Sequence, residues 1–306
     1  KLAENLMEDI PDILSEQHNN QIEWEIDLVV DPLTGYAERV EEIFKKVQAY
    51  HDEREWDYVL AITDLPIFHH RRVMALDINM RNGAAIFSYP AFGWRPVKKR
   101  FKNAIVTIIN EVHHAEQDHR NYDDNDYIEQ SVKQQFPLSK IDKTQVYLDD
   151  TDSKHIRYLS SSRSRGMFRL VSGMTFANNP LNMMASLSNI VAIAFTTGAF
   201  GLIFTTMWQM ANNFSMWRLF GISIIAILGM LLWVMMSHDL WESTKQSSNK
   251  RITLLYNLTT VMTLLIAVII YYIILYLMFL FAELVLLPAD FLGPVSYTHL
   301  TLPTKR

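Results

Sequence analysis

The chain contains no cysteine. That absence excludes disulfides, iron–sulfur clusters, cysteine nucleophiles and thiolate zinc sites together, so any metal would have to rest on histidines and carboxylates. Charge is scarce as well, but only in one half. Up to Arg169 there are 29 acidic and 22 basic residues, and from Leu170 onward only 4 and 6. The acidic balance of the first half argues against nucleic acid as a partner, since phosphate binding needs clustered lysine and arginine. A glycine-rich phosphate loop, a P-loop lysine and a Gly-x-Ser-x-Gly elbow are all missing, which removes the sequence signatures of nucleotide binding and of serine hydrolysis. No cofactor is expected.

What is present is apolar length. The stretch between Arg169 and Arg218 carries no charged side chain and exceeds the roughly 20 residues that cross a bilayer. The pattern predicts an all-α transmembrane region over 170–293, with three spans near 183–208, 219–237 and 254–282. Basic residues set its orientation. Arg163, Arg165 and Arg169 precede the first span, Lys245, Lys250 and Arg251 follow the second, and Arg218 stands alone between them. The positive-inside rule then places the N-terminal domain in the cytoplasm of a multi-pass protein of the cell membrane. The lipid bilayer is the first partner this implies. Ala194, Gly198, Gly201, Gly221 and Gly229 would allow close helix approach and a helix–helix oligomer. Asn189 and Asn257, polar within apolar runs, are expected to bond a neighbouring helix.

The N-terminal half reads as an α/β domain with a small mixed sheet over 1–114, followed by a polar linker and juxtamembrane segment over 115–169. Leu2–Ser15 has a helical pattern interrupted by Pro11. "IEWEIDLVV" alternates as a strand does. Val40, Ile43, Phe44, Val47 and Tyr50 mark one face of a helix, continuing from Tyr36. "DYVLAI" is a continuous apolar run, as in a central strand. "RVMALDI" and "AAIFSY", joined through Asn82-Gly83, form a hairpin for which a type I′ turn is expected. Phe101, Ala104, Ile105, Ile108, Ile109 and Val112 form the stripe of a further helix. Beyond Ala115 the chain is polar and irregular as far as Ser162, apart from a short helical pattern at Tyr127–Gln135.

Three places hold residues with chemistry. In "TDLP", Thr63 and Asp64 close a strand, where α/β sheets present ligands; the alternative is a capped turn in which they bond nearby backbone. In "HHRR", His69, His70, Arg71 and Arg72 offer cations to an anion or to the acidic surface of a protein partner, or are simply solvated. In "NEVHH", Glu111 and His114 match part of the His-Glu-x-x-His zinc pattern, with His119 nearby, but Asn110 stands where the first histidine should be. These are weak metal candidates, and no metal site is expected.

Several motifs occur together: "WDYVLAITDLP", "SYPAFG", "GMTFANNP", "LWE" and "LYNLTTVMTLL". In that order they resemble a family of uncharacterised integral membrane proteins of Gram-positive bacteria, whose pattern has an arginine where this chain has Asn179. The resemblance implies a cytoplasmic domain followed by transmembrane helices that continue past the third span, and it brings no activity with it. The leading expectation is a non-enzymatic sensor, scaffold or regulator. The alternatives are a membrane-anchored hydrolase or metalloenzyme using the TDLP and histidine-rich segments, or part of a transporter. The last residues, "VSYTHLTLPTKR", resemble translated sequencing adapter, so 294–306 is read as a non-native tail on a truncated metagenomic fragment.

Overall fold

A computed structural model describes residues 2–17, 22–31, 40–79, 82–94, 97–118, 130, 132–136, 140–148, 153–182, 192–193, 196–198, 200, 213–243 and 250–285. The chain divides into two compact units between Ala177 and Asn178.

The first unit is α/β. Its helices are α1 (Leu2–Gln17), α2 (Val40–Arg54), α3 (Val97–Asp118) and α4 (Arg163–Ala177). Its strands are β1 (Leu60–Thr63), β2 (Ile67–His69), β3 (Arg72–Asn79), β4 (Ala85–Ser88), β5 (Ile141–Leu148) and β6 (Ser153–Ser160), with a 3-10 turn at Tyr89–Phe92. The sheet runs β1-β4-β3-β6-β5, with β2 also paired to β3. Only β1 and β4 are parallel, so the sheet is mixed as expected.

Each face of the sheet is covered by a different helix. Neighbouring residues of a strand point to opposite faces, and Ile86 and Phe87 of β4 show where each leads. Ile86 packs with Met74, Leu159 and Ile67 beneath Ile43 and Val47 of α2. Phe87 meets Phe101 of α3 edge-on at 5.6 Å. The predicted stripe of α3 is buried throughout, and α1 lies on α3, tied by the Lys102–Asp9 ion pair at 2.9 Å. Each fully buried side chain such as Phe101 or Ile105 contributes about 1.5–3 kcal/mol.

Five expectations are corrected here. The "linker" of 115–169 supplies β5, β6 and the start of α4, and the unit extends to Ala177 rather than ending at 114. Residues 22–31 form no strand: Asp27 pairs with Arg54 and Asp31 with Lys46, which ties the segment to α2 instead of a sheet edge. β1, read as central, is the end strand of the described sheet path. Helix α1 runs through Pro11 without a break. The β3–β4 hairpin forms, but its loop is wider than two residues. Asn79 N–H donates to the Ala84 carbonyl and Gly83 N–H to that of Asn79, and positive φ falls on Gly83.

The second unit contains α5 (Met216–Ser237) and α6 (Lys250–Val285). Both are long and apolar enough to cross a membrane, α6 over Lys250–Met278. The first expected span, 183–208, falls almost wholly outside the described residues. Leu231, Val234 and Met235 pack against Leu264. Gly221 and Gly229, candidates for close helix approach, face open space instead. Asn257 acts as expected of a buried polar residue, although it bonds connecting backbone and not a helix. Its amide accepts from Glu242 N–H and donates to the Glu242 carbonyl, each at 2.9 Å.

Candidate functional site

The TDLP segment folds as a capped turn. Leu65 N–H donates to the Thr63 hydroxyl at 3.1 Å, as a threonine does when it closes a turn. Ser88, paired with Thr63 across β1–β4, donates its hydroxyl to the Leu65 carbonyl at 3.0 Å. Thr63 and Pro66 are buried, while Asp64 is exposed beside them.

The HHRR segment is the β2–β3 hairpin. His69 and Arg72 are paired, so His70 and Arg71 alone make the loop. Both have positive φ, 45° and 69°, as a type I′ turn requires. The turn geometry expected of Asn82-Gly83 therefore occurs here, on two residues with side chains, where it carries strain. The outer pair is committed to the sheet. Arg72 donates to the Ser160 carbonyl at 2.8 Å and pairs with Asp142 of β5. Burial alone would raise the Asp142 carboxyl, but hydrogen bonds from Ser161 and Arg72 hold it below the usual range. Only His70 and Arg71 are exposed.

His69 leads to a cluster that the sequence reading did not single out. Its Nδ1 accepts from Arg157 Nη1 at 2.8 Å, because a guanidinium can only donate. Arg157 Nε donates to Asp77 Oδ2 at 2.7 Å, and His155 Nδ1 lies 3.1 Å from Asp77 Oδ1. Asp77, Arg157 and His155 are 0%, 3% and 2% exposed. Three strands thus contribute to one buried ion network on the α2 side of the sheet.

A register shift assembles it. Met74 pairs with Leu159, but Leu76 pairs with Tyr158, so β3 carries one extra residue, Ala75, against β6. Such a bulge moves every later side chain to the other face. It sets Asp77 opposite Arg157. Continued regular pairing would have set Asp77 opposite Ile156. The signals in sequence were the lone acid inside "RVMALDINM" and the alternating His155 and Arg157 in "KHIRYL".

Chemically, Asp77 and His155 have the geometry by which a carboxylate orients a histidine base. Burial denies them a substrate, and Phe44 of α2 stands edge-on to the His155 ring at 4.7 Å. The cluster works as a clamp: a buried, hydrogen-bonded ion pair joining β3 to β6, with β2 attached through His69.

The third candidate leaves less to describe. Glu111 and His114 belong to α3, but their side chains, like the whole of His119, lie outside the described residues. Their neighbour His113 is bound to Tyr58, whose hydroxyl is 2.9 Å from Nδ1. Among the described residues no three histidine or carboxylate side chains gather as a metal site would require.

The fold thus defines an α/β unit with a mixed, two-sided sheet and a second unit with two apolar helices of membrane-crossing length. Comparison with protein-family models, with curated proteins and with solved structures finds no match to the chain.

Proposed function

We propose that this chain is a multi-pass membrane protein whose α/β unit faces the cytoplasm and acts without catalysis, as a sensor, scaffold or regulator. One observation carries the reading. The residues with chemistry are used to build the sheet: Thr63 closes a turn, Arg72 ties β3 to β5, and Asp77, Arg157 and His155 form a buried clamp to which half-buried His69 is joined. The flanking basic residues and the length of α5 and α6 support the membrane placement, and the motif order supports a place in the Gram-positive membrane family. Complementation of a gene deletion tests it. Asp64→Asn and His70→Ala chains should restore the phenotype, whereas a chain ending at Ala177 should not. Loss of complementation by Asp64→Asn with normal protein levels would favour the enzyme reading instead.

A further inference from the structure

The acidic first unit has two long stretches without a single Asp or Glu, Ile78–Asn110 and Ser153–Ala177. The first holds six Lys and Arg and the second five. They are far apart in sequence, and the fold joins them. The turn Tyr89–Phe92 packs along α4, where Gly173 lies against the Pro90 carbonyl. Trp94 stacks on Phe176, with ring centroids 5.0 Å apart and planes 8° from parallel. Arg100 of α3 donates to the Trp94 carbonyl, which holds the first turn of α3 beside that stack.

The surface this creates is aromatic and cationic. Phe168 is 70% exposed and Trp94 59%. Phe168 is exposed on α4, and Phe176, half-buried about two turns further on, carries the Trp94 ring. Arg163 and Arg165 are exposed at one end of α4, and Lys98 and Lys99 at the start of α3. Single exposed aromatics are ordinary. An exposed Trp and Phe beside exposed lysines and arginines, on two acid-free stretches of an otherwise acidic unit, are a combination that suits the headgroup region of a bilayer.

We propose that this face of the α/β unit docks on an anionic lipid leaflet, with Trp94 and Phe168 at headgroup level and the arginines and lysines against lipid phosphates. The proposal rests on the membrane reading above, and chain order favours it. α4 ends at Ala177, and the unit with the membrane-length helices begins at the next residue. A basic residue near such a surface strengthens attachment by about fivefold.

The lack of cysteine makes the test direct, since an introduced thiol is the only one in the chain. Full-length Phe168→Cys, Tyr147→Cys and Ile225→Cys chains would each carry a nitrobenzoxadiazole label. They would be reconstituted in phosphatidylcholine vesicles with or without about a third phosphatidylglycerol. Tyr147 lies on β5 and Ile225 in α5, and both are well exposed. A headgroup nitroxide should quench the label at 168 several-fold more than that at 147, in anionic vesicles only. Joint reversal by Arg163→Glu, Arg165→Glu, Lys98→Glu and Lys99→Glu should lower it to the level at 147. Equal quenching at 168 and 147, or quenching at 168 that ignores lipid charge, overturns the docking while leaving the spans intact. A label at 225 untouched by a deep acyl-chain nitroxide overturns the membrane reading and the docking together.

Discussion

Asp77 shows how much one side chain depends on its neighbours' placement. As a lone acid in an apolar strand it would be a severe burden, since a buried carboxylate without partners costs many kcal/mol. Arg157 and His155 remove that burden by bonding both carboxylate oxygens. Removing one partner should therefore be worse than removing both. Asp77→Asn leaves the Arg157 guanidinium buried and uncompensated, a loss of about 3–5 kcal/mol. Asp77→Leu combined with Arg157→Met should be markedly milder. Thermal melting of both variants decides the matter, and a double variant as unstable as the single one would refute the clamp. Arg169 is a different case. Burial, and then the nearby Arg100 charge, bring its guanidinium down to about 10, and its charge lies over the Phe136 ring at 4.6 Å. It therefore stays protonated at neutral pH inside the basic face.

Among elements, α2, α3, α5 and α6 were legible, while α4 and several strands were not. The α3 stripe appears in sequence because every third or fourth residue meets the same core. Strand β5, "IDKTQVYL", pairs on one side among the described strands and has exposed positions along its length; its polar composition therefore looks like a linker. Strand β6 has the opposite problem. It is buried from His155 to Ser160, yet holds His155 and Arg157, whose burial is acceptable only beside Asp77. The contact of α4 with the turn Tyr89–Phe92 depends on one missing side chain. A Cβ at Gly173 would run into the Pro90 carbonyl, a backbone atom that cannot swing aside. Gly173→Ala should thus push α4 off the turn. Hydrogen exchange should show faster exchange in both segments, while α2 stays protected. Unchanged exchange along α4 would contradict the close approach.

At the scale of the molecule, the two units obey different rules. In the first, the charges of Asp77, Arg157 and His155 are admitted to the core as a network, and that of Arg169 against an aromatic ring. In the second, apolar side chains such as Ile225, Leu232 and Phe220 stand exposed along a helix, a costly surface in water and an ordinary one in lipid. The chain should therefore remain with membranes through alkaline carbonate and leave them only in detergent. Recovery in the soluble fraction would remove the spanning reading. Two polar side chains inside this unit are bonded to backbone: Asn257 holds Glu242, and the Thr263 hydroxyl donates to the Thr259 carbonyl at 2.8 Å.

Sequence alone determined the division of the chain into a charged part and an apolar part, the two apolar helices, the faces of α2 and α3, and a mixed sheet with one hairpin. These follow from local periodicity and from run length, which need no knowledge of partners. Tertiary structure decided where the sheet ends, that Ile141–Leu148 and Ser153–Ser160 belong to it, and that Asp77 meets Arg157 and not Ile156. It also decided that two acid-free stretches share one surface. The reason is common to all four: each depends on which distant residue lies opposite, and a single extra residue, Ala75, is enough to change that answer.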